Sequence, residues 1–205
     1  TENIRLMDFF AAINDSFRQP YAILGSVNSN NLTSSANSNS SSSYNQYSSN
    51  ENDSNYVAGQ TPVTDGTGIE NVGLAVFVDD TLVGELNAIE TVCHSIISNK
   101  LRTCIISISD PFNTNSTIDL FVKFKNKTKR KVSIVNGSPY IECDISLNSR
   151  ILSMNESSKY LDENQLKTIS SHVNSYLEYQ LESYLYKTAK DFKSDIDNFG
   201  KNIVS

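Results

Sequence analysis

An α+β fold, a mostly antiparallel β-sheet packed by a short helix and a long C-terminal helix, follows from three observations. Residues 73–86 read as two apolar strands around Asp79-Asp80, and Asn136-Gly137 joins two further alternating runs, the dipeptide signature of a tight hairpin. From Leu166 to Phe192, apolar residues recur at three- and four-residue steps, which predicts one long helix with a single broad stripe. Strand runs followed by a helical run place the chain in the α+β class.

Taken in order, Ile4–Phe17 predicts an amphipathic helix carrying Leu6, Met7, Phe10, Ala11 and Ile13, and Pro20 ends it. A helix that apolar needs a partner surface. From Ser26 to Asn55, roughly two-thirds of positions are Ser or Asn, a composition that buries too little apolar surface to offset chain entropy. Residues 26–68 are therefore expected to be a flexible loop or linker. It separates an N-terminal helical segment (residues 1–25) from a C-terminal α+β domain (residues 69–205).

Within that domain, Gly73–Val78 and Leu82–Leu86 predict a hairpin. Asn87 caps a helix over Ala88–Ser98 with Ile89, Val92, Cys93, Ile96 and Ile97 on one face. Leu101–Ser109 predicts a short strand stopped by Asp110-Pro111. Thr117–Lys125 alternates, with Ile118, Leu120, Val122 and Phe124 on one side. Val132–Val135 and Tyr140–Leu147 flank the Asn136-Gly137 turn. Asp162, with Gln165 three residues on, predicts the start of the long helix, and Gly200 marks its end near Asn198. At a rise of ~1.5 Å per residue, a helix of about thirty residues would cover a sheet of four or more strands.

Composition excludes several functions. The net charge is −6, and residues 1–70, with two basic and seven acidic residues, carry −5 of it, so nothing favours nucleic-acid binding. No apolar run approaches the ~20 residues that span a bilayer. The start at Thr1, without an initiating Met or a signal-type segment, suggests a piece of a longer protein. Cys93, Cys104 and Cys143 form no C-x-x-C pair and read as small buried hydrophobes, with a disulfide between two of them left open.

Candidate chemistry is sparse. His94 follows Cys93, but no third ligand stands at useful spacing, so an exposed, structural His94 is expected, and His172 is read the same way. Asp79-Asp80 fits a turn, and Asp195 and Asp197 have no partner histidine nearby in sequence. No G-x-S-x-G, S-x-x-K or phosphate-binding glycine pattern occurs. No catalytic, cofactor-binding or metal residue is assigned, no cofactor is implied, and the chain is read as non-enzymatic. The run Lys123, Lys125, Lys127, Lys129, Arg130, Lys131 is read first as the solvated face of a hairpin, with contact to anionic headgroups as the functional alternative.

The stretch GLAVFVDDTLVGELNAIET, residues 73–91, resembles the middle of the Ger(x)C family, the C subunits of bacterial spore germinant receptors. Gly73, Ala75, Val76, Phe77, Leu82, Val83, Gly84, Leu86, Glu90 and Thr91 match in order. Residues 195–200, DIDNFG, resemble that family's D-I-F-x-F-G ending, departing at Asp197, where an aromatic is usual. The segment LMDFFAAINDSFRQPYAIL resembles the one before the family's variable loop, and the Ser/Asn tract is the large departure. The resemblance implies a lipoprotein of about twice this length, anchored through an upstream lipid-bearing cysteine to the outer face of the inner spore membrane. It implies integral-membrane receptor subunits as partners, a requirement for the response to small nutrient germinants, and no catalytic residues. Phe77, Gly84 and Phe199 are then expected to determine the fold, and Glu90, acidic in a first helical turn, has a dipole rationale beside a contact role. The alternative is a soluble or surface-displayed binding module with a Ser/Asn-rich stalk.

Overall fold

The computed structural model describes residues 4–27, 55–61, 69–154 and 162–204. Most of the Ser/Asn tract read as a linker lies outside them. The α+β class holds: two three-stranded antiparallel sheets, ordered β1-β2-β3 and β4-β5-β6, are packed by helices.

Helix α1 spans Leu6–Ile13 and stops four residues earlier than the pattern suggests. Asn14 Nδ2 donates to Phe10 O (2.9 Å) and Asp15 Oδ1 accepts from Phe17 N (3.0 Å), so these short polar side chains take over groups the helix would use. Leu6, Met7 and Phe10 remain exposed, while Phe9 packs edge-on against Phe77 at 5.1 Å.

Strand β1, Tyr21–Val27, is an element the sequence reading lacks. It pairs with β2, Ile69–Val78, from Tyr21 opposite Val76 to Val27 opposite Ile69. The turn into β3, Thr81–Leu86, places Asp79 at φ 54, the left-handed region that aspartate tolerates. Helix α2 runs over Ala88–Ile97 under a full capping box: Asn87 Oδ1 accepts from Glu90 N (2.9 Å), and Glu90 Oε2 accepts from Asn87 N (2.8 Å).

The second sheet comprises β4 (Cys104–Asp110), β5 (Asn113–Val135) and β6 (Ser138–Met154). The two runs predicted over 117–135 are one strand. Its register shifts around Asn126–Lys129. There Thr128 is buried, its N–H donates to Asn99 Oδ1 (2.6 Å), and its hydroxyl donates to Ile96 O (2.9 Å). The irregularity thus clasps the end of α2 instead of breaking the ladder. Asn136 and Gly137, at φ 52 and 81, close the hairpin as predicted.

Helix α3, Glu163–Tyr186, buries Ile169, Val173, Leu177, Leu181 and Tyr184. Asp162 Oδ1 accepts from Asn164 N (3.2 Å), so the cap holds without Gln165. The helix does not cover one sheet of four or more strands. Its first half packs on Ile106, Ile108, Ile118, Leu120 and Val122 of the second sheet. Its second half enters a separate core with Leu74, Val76, Leu86, Cys93, Ile96 and Ile97. Neither does it reach Asn198. A π-turn over Lys187–Asp191 lets Thr188 Oγ1 donate to Tyr184 O (3.0 Å), and Lys193, at φ 51, turns the chain back. A short helix α4, Lys201–Val204, follows.

Candidate functional site

The segment after α3, residues 192–200, folds back onto the hairpin β2–β3 and helix α2. Its contacts there form a dense polar cluster. Phe192 lies over Gly84: a Cβ at that position would sit 2.3 Å from the ring, so the position admits only glycine without moving the ring. Ser194 Oγ donates to Phe77 O (2.7 Å). Asp195 O accepts from Gln19 N (3.0 Å), and its carboxylate accepts from Phe199 N (2.9 Å) and Gly200 N (2.7 Å). Burial pushes the Asp195 carboxyl up from its ordinary value, against the pull of those two amides.

At the centre stand His94, Tyr184 and Asp197. His94 Nδ1 lies 2.9 Å from Asp197 Oδ1 and 3.1 Å from the Tyr184 hydroxyl, which donates to Asp197 Oδ2 at 2.6 Å. The Tyr21 ring meets His94 edge-on at 4.6 Å, and Lys100 Nζ hydrogen-bonds the Tyr21 hydroxyl. Arg130 donates to Asp197 O (2.6 Å) and stacks over Phe199 at 5.5 Å. Burial, then the Asp197 carboxylate, holds the Tyr184 phenol well above its ordinary value, and burial does the same to the Cys93 thiol.

These groups have the composition of an acid–base relay, yet His94 and Tyr184 are 0% exposed and Asp197 5%. No substrate atom can approach them. The cluster is a tie: it joins α2, the end of α3, β5 and the C-terminal segment through groups that must be satisfied once buried.

This arrangement corrects the expectation of an exposed His94. The residue faces the junction because Asp197, 103 positions away, supplies the partner that no local pattern announces. His172, by contrast, is half-buried, with Nε2 3.2 Å from Ser109 Oγ. Glu90 is engaged internally: beyond its cap bond, it forms an ion pair with Lys187 at 2.8 Å. Phe199 is buried as a fold determinant should be, and Phe77 is half-buried beneath Phe9. Arg130 separates from the basic run, whose lysines are exposed. All three cysteines are free thiols, and burial pushes Cys104 up to about 11. Among the described residues no group of three or more His, Cys, Asp or Glu could hold a metal ion, and no helix is long and apolar enough to cross a membrane.

One open feature lies on the other side of α3. Ile141, Cys143, Ile145 and Leu147 of β6 and Val173 and Leu177 of α3 line a groove of about 510 Å³, with Glu178 and Glu182 on its rim.

The His94–Tyr184–Asp197 cluster and the stretches 73–91 and 195–200 fall inside residues 72–205, which match the family model described as spore germination B3/GerAC-like, C-terminal. The crystal structure of the GerBC protein shares the fold, with a TM-score of 0.53 at 20% identity over 65% of this chain and 41% of that one. This chain thus spans about two-fifths of the GerBC chain's length. No curated protein matches the chain. With the match extending from β2 to the last residue, through the hairpin, the capped helix and the segment that locks them, the chain belongs to the spore germination B3/GerAC-like family, of whose members it carries the C-terminal domain.

Proposed function

We propose that this chain is the C-terminal part of a germinant-receptor C subunit, a non-enzymatic component that assembles with integral-membrane subunits so that small nutrient germinants trigger spore germination. The observation that carries this reading is the family match over residues 72–205, supported by the likeness of fold to the GerBC protein. The sealed state of the His94–Tyr184–Asp197 cluster favours a scaffold over an enzyme, because the most reactive-looking groups are spent on holding the chain together. In this reading the full-length protein sits on the outer face of the inner spore membrane through an upstream lipid anchor. The second sheet and α3 present the surface that meets the membrane subunits.

Crosslinking followed by pull-down of the tagged full-length protein from spore membranes tests this. Recovery of integral-membrane receptor subunits is expected, together with loss of nutrient germination when residues 69–205 are deleted. Normal germination and unchanged assembly after that deletion would refute the proposal.

A further inference from the structure

The distal β5–β6 hairpin joins two features that the receptor-subunit reading does not use. Along its shank, Lys123, Lys125, Lys127, Lys129 and Lys131 are exposed; Lys123, Lys129 and Lys131 share one face of the strand, and Lys125 and Lys127 sit where the register shifts. Asp144 and Glu142 stand across from Lys129 and Lys131, and Lys123 stands across from Asn148. Residues 123–147 hold six basic side chains against two acidic ones in a chain whose net charge is −6, so the hairpin is a basic projection from an acidic body.

At its tip the hairpin is apolar. Ile134, Val135 and Tyr140 are 63%, 51% and 57% exposed around the Asn136-Gly137 turn, and a side chain added at Gly137 would meet open space. Adjacent strand residues point to opposite faces, so Ile134 and Val135 make the tip apolar on both sides. A protein groove would cover one side. An interfacial lipid layer surrounds both, and it accepts a tyrosine at headgroup depth.

The geometry points to the β5–β6 hairpin as a membrane-docking element: its tip enters the interface of an anionic lipid bilayer while Lys129 and Lys131, the lysines nearest the tip, contact headgroup phosphates. The inference stands apart from the receptor-subunit reading, and vesicles of pure lipid test it without any receptor component.

The chain contains no tryptophan, so Tyr140→Trp installs a single fluorescent reporter at the tip. With phosphatidylcholine vesicles containing phosphatidylglycerol, the protein is expected to co-sediment and the reporter to shift to the blue. Vesicles of phosphatidylcholine alone bind far more weakly. Combined Lys129→Gln and Lys131→Gln substitutions lower the affinity about 25-fold, at about fivefold per lysine. Ile134→Ser with Val135→Ser lowers it about tenfold. Thermal melting of each variant matches the parent, because the replaced side chains lie outside the core. Equal binding to both vesicle types, binding without a spectral shift, or no binding would each overturn the inference. Capture of a spore-membrane protein by this face without vesicle binding would overturn it as well.

Discussion

At its C-terminal end the long helix α3 is held by named polar partners, whereas along its first half it rests on aliphatic side chains of the second sheet. Tyr184 has one arrangement of His94 and Asp197 that satisfies it, and the segment carrying Asp197 is fixed in turn by Ser194, Asp195 and Arg130. Val173 and Leu177 face Ile106, Ile118 and Val122, contacts that many apolar side chains of similar volume would supply. The groove over β6 runs along α3 from Ser170 to Leu185, beside this aliphatic packing. Hydrophobic contact holds both ends, but only the polar junction specifies which segments meet.

Removing the carboxylate gives the largest expected effect. Asp197→Ala leaves the Tyr184 hydroxyl buried without its acceptor and strips His94 Nδ1 of the carboxylate beside it, and urea unfolding is expected to show a loss of about 3–5 kcal/mol. Leu177→Ala, at the groove, is expected to cost about 2 kcal/mol, the low end for a buried leucine, because water can enter the space left behind. Equal losses from the two variants would erase the distinction between the ends.

A smaller effect comes from pH. Cys93 and Tyr184 have folded-state values raised by burial, so above the pH where they ionise in the unfolded chain the native state holds more protons. Stability is then full below about pH 8.5 for the thiol and about pH 10 for the phenol, and falls by about 1.4 kcal/mol per pH unit per group above those values. Tyr184→Phe is expected to remove its share of the decline above about pH 10 in a urea-melt series. An unchanged slope would mean that the phenol is not sealed.

Local signals made much of this fold legible. Asp79, Asn136 and Gly137 adopt the positive φ that their residue types tolerate, and Asn87 with Glu90 forms the cap its spacing suggests. Strand β1 was hidden because Gly25 and Ser26 merge in composition with the polar tract, and its identity comes from pairing with β2. The continuity of β5 was present in the period-two lysines 123 to 131, a pattern masked by its charge. The junction was invisible for a different reason. His94 sits a quarter-turn from the apolar face of α2, and only the return of the chain at Lys193 brings Asp197 to it. One sequence signal pointed there: an aspartate at 197 where the resembling family carries an aromatic.

The central claim is that residues 192–200 are locked into the core and do not fray as a terminal segment. Native-state hydrogen exchange at Ser194, Phe199 and Gly200, whose amides donate to Thr188 O and the Asp195 carboxylate, tests it directly. These amides are expected to exchange with the same opening free energy as those in the middle of α2, and to lose protection together with them in Asp197→Ala. Exchange of the three amides at least about a hundredfold faster than α2 in the parent protein would contradict the account.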